Sequence, residues 1–237
     1  MTGARYSART HVGLKRQINE DAILSLPDLG LWVVSDGMGG HAAGDFASRA
    51  VCDALAAIDP DLPVAARLRA QREMITRAHD AIRAEAQARG GVTIGATVVT
   101  LMLADGHFVG LWAGDSRLYR LRAGEIEMLS HDHSLVAALV DSGQLTWDEA
   151  EAHPQSNAIT RAVGVGEALE LGKVHGTAQP GDRYLLCSDG LSKYAPFALL
   201  RQVLSETPVE TVADRLVKIA LDGGGADNIS VIVVDVT

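Results

Sequence analysis

Two cysteines, Cys52 and Cys187, leave the chain without a disulfide framework, and no thiolate and histidine pairs stand at the spacings zinc uses. Cys187 lies inside an apolar run, where a small buried thiol is its expected role. Basic charge is short as well. The 21 Lys and Arg face 30 Asp and Glu, a net charge of -9, which argues against a nucleic-acid groove or an anionic membrane surface as the main partner, since both reward basic excess. No run approaches the roughly 18 apolar residues of a membrane-crossing helix, and Met1 to Thr10 holds no apolar stretch of signal-peptide length, so a cytoplasmic location is expected. Fixed-period repeats, low-complexity tracts and linkers are also missing. What is present is a chain of 237 residues, 47% of them hydrophobic, enough to bury a substantial core; a single domain over residues 1–237 is expected.

The most informative stretch is Leu31-Trp32-Val33-Val34-Ser35-Asp36-Gly37-Met38-Gly39-Gly40-His41. An apolar run stops at a carboxylate and enters a glycine-rich turn. Short apolar runs bounded by glycine read as buried strands, and the glycines let another atom approach the backbone closely. Alone, such an Asp often does no more than bond its own turn. The pattern recurs, however, in Tyr184-Leu185-Leu186-Cys187-Ser188-Asp189-Gly190, and two strands ending in Asp-Gly can converge on one place.

Arg5 to Val12 alternates as a half-buried strand would. Together with the strand from Ala22 to Leu26 it is expected to form a hairpin carrying Arg16 and Asp21 on neighbouring surfaces. Helical spacing marks Ala43 to Ile58 and about Val64 to Arg89. Val92 to Ala104 and Phe108 to Ala113 read as strands joined at Asp105-Gly106, and Leu118–Leu121 and Ile126–Leu129 as strands joined at Ala123-Gly124, an antiparallel meander rather than a βαβ series. His131-Asp132-His133-Ser134 offers a metal-binding cluster or, more simply, surface residues and a helix cap. Thr146-Trp147-Asp148-Glu149 has capping-box spacing, as does Thr207-Pro208-Val209-Glu210. Helices are expected over Pro196–Glu206 and Pro208–Asp222, each with Pro at its first position, before a last strand from Ile229 to Val236. The segment up to Gly166 lacks strand signals and has the character of a substrate-gating loop.

Six carboxylates, Glu20, Asp21, Asp36, Asp115, Asp189 and Asp227, stand at strand edges or glycine-rich turns. Gathered together, they would repel and hold raised pKa values unless cations neutralised them. Oxygen-only ligands suit Mg²⁺ or Mn²⁺, which engage phosphate oxygens.

Seven motifs in this order resemble the metal-dependent protein phosphatases (PPM, or type 2C) in their compact bacterial form, nearly end to end. They are Arg16-x-x-Asn19-Glu20-Asp21, Ser35 to His41, Gly114-Asp115-Ser116-Arg117, Asp132-His133-Ser134, Asn157-x-Ile159-Thr160-Arg161-Ala162-x-Gly164, Ser188-Asp189-Gly190 and Asp227-Asn228. The resemblance implies an α+β fold, a four-layer αββα sandwich of two stacked antiparallel sheets flanked by helices, with a metal cleft at one end. By the same carry-over, Asp36 bridges two Mn²⁺ or Mg²⁺ ions, Asp189 and Asp227 complete the first, and the Gly37 carbonyl with the Glu20-Asp21 pair serves the second. A possible third ion would use Asp115 with Asp189. Arg16 would hold the substrate phosphate, while Asn228 and Arg161 orient their neighbours.

The activity so implied is hydrolysis of phosphoserine and phosphothreonine on proteins, by a metal-bridging hydroxide attacking phosphorus in line. Arg16, a planar fork matched to phosphate oxygens, would offset charge as the transition state forms. The leaving alkoxide needs a proton. Animal members place a His where this chain has Met38, so His41 or a metal-bound water becomes the candidate acid. The expected setting is a monomer opposing a bacterial Ser/Thr kinase on its phosphorylated substrates. Two other readings are a catalytically inactive phosphoprotein-binding module and a phosphatase of sigma-factor regulator proteins.

Overall fold

The structure, a computed structural model, describes residues 3–40, 42–151, 153–156 and 158–237. His41 and Asn157, both singled out above, lie outside the described residues. In chain order the strands are β1 (Ala4–His11), β2 (Asp21–Leu26), β3 (Leu31–Met38), β4 (Gly95–Ala96), β5 (Val98–Ala104), β6 (His107–Ala113), β7 (Arg117–Arg122), β8 (Glu125–Met128), β9 (Gly172–Thr177), β10 (Arg183–Cys187) and β11 (Ile229–Val236). The helices are α1 (Ala42–Ala56), α2 (Val64–Ala88), α3 (Leu135–Asp141), α4 (Trp147–Glu151), α5 (Asp189–Ser192), α6 (Phe197–Glu206) and α7 (Val209–Asp222). No helix among the described residues is long and apolar enough to cross a membrane.

Two antiparallel sheets form, in the orders β1-β11-β10-β7-β8 and β2-β3-β5-β6-β9, with β4 added beside β3. Side chains alternate across a strand, and here both faces are covered. Leu31 and Val33 of β3 pack with Ala47, Val51 and Leu55 of α1 and with Ile75 and Ile82 of α2. Ile229, Val231 and Val233 of β11 pack with Leu200 of α6 and with Val212 and Leu216 of α7. The opposite faces, Trp32 and Val34 of β3 and Ile232 and Val234 of β11, meet Phe108, Tyr184 and Leu186 between the sheets. The result is the expected layering of helix, sheet, sheet and helix. It explains why β3, β10 and β11 read as unbroken apolar runs, since a strand covered on both faces has no polar side.

Several sequence expectations need correction. β1 and β2 are not a hairpin: they lie in different sheets, and the loop between them crosses from one to the other. Pro196 and Pro208 sit one position outside α6 and α7, as N-caps. The second capping box does not form. Thr207 ends α6, its hydroxyl accepts from Arg215 Nη1 at 2.8 Å, and Glu210 pairs instead with Arg5. The first one does form: Glu149 N–H donates to Thr146 Oγ1 at 3.2 Å, and Thr146 N–H donates to Glu149 Oε2 at 2.8 Å.

Strand β9 had no sequence signal. Its Gly172 and Gly176 lie where a Cβ would fall 2.3 Å from the Trp112 ring and 2.8 Å from the Phe108 ring. Two rings of β6 therefore cross a strand whose glycines make room for them, at the cost of the β propensity by which such strands are recognised.

Candidate active site

All six carboxylates gather at one end of the layer between the sheets, and strand alternation puts them there. On β3, Trp32 and Val34 face that layer, so Asp36, two residues on, shares their face. Asp21 opens β2 directly opposite Asp36 in the antiparallel register, an arrangement that sets like charges side by side. β6 ends at Ala113, β10 at Cys187, and β11 begins at Ile229, which brings Asp115, Asp189 and Asp227 to the same end.

Glycines close the gaps. A Cβ on Gly37 would sit 2.0 Å from the Gly44 carbonyl oxygen, and one on Gly44 would lie 2.8 Å from Glu20 Cδ and 2.9 Å from the Gly37 carbonyl oxygen. The Glu20 carboxylate and the Gly37 carbonyl are thus neighbours across the start of α1. Gly190 allows an equally close pass, since its Cβ would be 1.9 Å from the Asn228 carbonyl oxygen.

Hydrogen bonds fix the acids from behind. Ser188 Oγ donates to Asp21 Oδ2 at 2.8 Å, and Ser230 N–H donates to Ser188 Oγ at 3.0 Å. Thr97 Oγ1 accepts from Asp36 N–H at 3.0 Å, and Thr97 N–H donates to the Asp36 carbonyl at 2.8 Å. This exchange interrupts the strand expected from Val92 to Ala104 and leaves β4 and β5 on either side of Thr97. Asn228 is a strut: its Nδ2 donates to the carbonyls of Val12 and Ile18, and its Oδ1 accepts from Glu20 N–H at 2.8 Å. It holds the loop that carries Arg16. Arg16 Nη2 reaches Asp227 Oδ2 at 2.9 Å, not Asp21, and is half exposed at the edge of a cleft of about 330 Å³ lined by Lys15, Arg16, Glu20 and Gly40.

The electrostatics are those of a crowded acidic cluster only partly offset by Arg16 and Lys193. Burial, joined by Asp189 and Asp227 and opposed by the Ser230 and Ser188 hydroxyls, pushes Asp21 up to about 7. Burial, then Asp21, Asp189, Asp115 and Asp227, holds Asp36 well above the ordinary carboxylate range. Asp115 is raised likewise by burial, Asp189 and Asp132, with Arg117 and Lys193 opposing. Two oxygens, Asp21 Oδ1 and Asp189 Oδ1, are buried with no hydrogen-bond partner, an expensive condition for a carboxylate unless a cation completes it. Among the described residues no group of three acidic, His or Cys side chains is placed so as to hold a metal ion.

The His131 to Ser134 segment is not a ligand set. His131 Nε2 pairs with Asp141 Oδ1 at 2.8 Å, and Ser134 caps α3. His133 stacks on Trp112, and its Nδ1 faces Gly114 N–H at 3.4 Å; burial and then Arg161 lower its pKa to about 4, so the ring is neutral. Asp132, only 3% exposed at its side chain, accepts three bonds from Arg117, from Nε at 3.1 and 3.0 Å and from Nη2 at 2.7 Å. The pair lies directly behind Asp115. Arg161 bonds Glu170 at 3.1 Å and lines a separate cavity of about 240 Å³ with Met38, Ile159 and Val165.

Lys193 is the participant that sequence reasoning missed. One helical turn beyond Asp189, it places its ammonium 2.6 Å from Asp189 Oδ2 and 3.9 Å from Asp227 Oδ2. Burial lowers its pKa, but Asp189, Asp227 and Asp115 more than offset this and raise it. The available signal was its position, four residues after an Asp on a short helix.

Comparison with known proteins gives a concordant result. A family model described as Protein phosphatase 2C matches residues 11–227. The serine/threonine protein phosphatase PstP of Mycobacterium tuberculosis is 40% identical over 233 residues, 98% of this chain but 45% of PstP, so the chain spans about half the length of that relative. Among solved structures, one described as PppA, a key regulatory component of T6SS in Pseudomonas aeruginosa, superimposes with a TM-score of 0.92 at 44% identity over 99% of this chain and 98% of its own. The catalytic domain of PstP in complex with two manganese ions gives 0.89 at 37% identity over 99% and 98% of the two chains.

Proposed function

Because the chain belongs to the protein phosphatase 2C family, we propose that it is a metal-dependent phosphatase of phosphoserine and phosphothreonine in proteins, and that the acidic cluster at the end of the inter-sheet layer is its metal centre. The observation that carries this reading is the pair of buried, unpartnered oxygens on Asp21 and Asp189, set among carboxylates whose pKa values burial and mutual repulsion raise.

In this reading Asp36, Asp189 and Asp227 would hold one Mn²⁺ or Mg²⁺ ion, and Asp36, Glu20, Asp21 and the Gly37 carbonyl would hold the other. When bound, such ions act as Lewis acids that acidify water near neutral pH and neutralise phosphate charge. Arg16, anchored at Asp227 and facing open solvent, receives the phosphate with its planar fork. Asn228 holds the loop from which Arg16 projects, so the phosphate-binding group and the metal-binding Glu20 are fixed by one side chain. By the resemblance Met38 stands where animal members place a proton-donating His, and a thioether donates no proton. The substrates are phosphoproteins, and the opposing enzyme is a Ser/Thr kinase.

Phosphate release from a phosphothreonine peptide in Mn²⁺ tests the assignment. EDTA is expected to bring release to background, and excess Mn²⁺ to restore it. Release that continues undiminished in EDTA would exclude a metal mechanism.

A further inference from the structure

We propose that the Lys193 ammonium is a tethered cation standing where a third metal ion would lie, beside Asp189 and Asp115, so that this chain takes up two divalent ions and not three. The inference rests on the metal-dependent reading above and concerns only the number of ions.

The Asp189 carboxylate is divided between two tasks. Its Oδ2 is held by Lys193 Nζ at 2.6 Å, while its Oδ1 is buried and unpartnered. The first oxygen already has its cation; the second awaits one. A third ion shared by Asp115 and Asp189 Oδ2 would have to displace the Lys193 ammonium. The space left there, lined by Asp115, Asp132, Asp189, Ser192 and Lys193, is about 10 Å³, at the lower limit for a single water. A hydrated Mg²⁺ or Mn²⁺, which keeps several waters, does not fit while the lysine is in place. Charge argues the same way. The Lys193 ammonium stands 2.6 Å from Asp189 Oδ2 and 3.9 Å from Asp227 Oδ2, so a divalent ion placed there would meet a fixed positive charge. Lysine suits the task because its ammonium is a compact point charge on a flexible stem, unlike the planar guanidinium.

Counting bound Mn²⁺ by equilibrium dialysis with elemental analysis tests this, on wild type, Lys193→Met and Lys193→Arg. Wild type and Lys193→Arg are expected to bind two ions per chain. Lys193→Met, similar in length but uncharged, is expected to bind three, or to take up the third at least tenfold more tightly than wild type does. Lys193→Gln, which keeps a donor toward Asp189 without the charge, carries the same expectation and serves if Lys193→Met does not fold. A third ion bound equally by wild type and the uncharged variants would overturn the proposal, as would two ions in all of them; either result leaves the two-metal reading standing. No uptake of Mn²⁺ by any of the proteins would remove that reading and the proposal together.

Discussion

Asp36→Asn is expected to lower phosphate release by about 10³-fold or more, a loss of roughly 4 kcal/mol of transition-state stabilisation, while making the metal-free protein more resistant to heat. Both effects come from one property of the site. Asp36 faces Asp21 across the β2–β3 pair and feels Asp189, Asp115 and Asp227 as well. Without cations, a buried carboxylate among four others must stay protonated or be repelled, and an amide of the same shape removes that penalty. With cations, the same residue is the one assigned to both ions, and an amide oxygen is a far weaker ligand for a hard cation than a carboxylate. Activity assays and thermal melts in EDTA on the same preparations separate the two. Lost activity with an unchanged or raised metal-free Tm supports the assignment. Activity within tenfold of wild type would contradict it, as would a metal-free Tm that falls by several degrees.

Arg117→Met is expected to destabilise the fold by about 3–5 kcal/mol, because it leaves Asp132 as a buried charge without its partner. For a domain of this size that is a fall in Tm of roughly 10 °C or more. The Arg117 guanidinium makes three bonds to Asp132, donates to Tyr119 Oη at 3.3 Å and lies 4.9 Å from the Trp147 ring centre. The double variant Arg117→Met/Asp132→Leu is expected to regain much of the loss, since replacing both members of a buried pair by apolar groups often comes close to neutral. Thermal denaturation of the single and double variants decides the matter. A single variant within about 1 kcal/mol of wild type would show that the pair contributes little.

How much of this was legible in the sequence depended on whether a feature was local. Strands β3 and β10, with their Asp-Gly ends, declared themselves because a strand buried on both faces carries an unbroken apolar run, and that run stops where the site begins. Helices α1 and α2 showed helical spacing because only one face of each is covered. The pairing of strands was another matter. The tight Gly13 turn after β1 looked like half a hairpin, yet the chain passes to the other sheet, and the sheet to which a strand belongs is decided by partners about two hundred residues away, such as β11. Strand β9 was invisible for a packing reason, its glycines yielding to Trp112 and Phe108. At the site, each acid could be found by its turn, and the order of the motifs placed them together. Lys193 could not be placed, because a lysine after a helical Asp reads as an ordinary surface pair until the other acids close around it. The second capping box failed for a related reason: Arg5 and Arg215, remote in sequence, compete for Glu210 and Thr207.

The central claim is that divalent ions relieve a cluster of carboxylates that the fold forces together. Thermal melts across pH, with and without Mn²⁺, test it most directly. Asp21, Asp36 and Asp115 bind their protons more tightly folded than unfolded, and for Asp21 the folded state holds the extra proton from about pH 4 up to its folded value of about 7. The stability contributed by Asp21 is therefore full below about pH 4 and lost as pH rises through about 7. Mn²⁺ displaces those protons, and its effect must grow as they become easier to remove. The account predicts that the rise in Tm caused by a fixed Mn²⁺ concentration increases steadily between about pH 5 and pH 7.5. A rise that is absent, or that stays the same across that range, would contradict it.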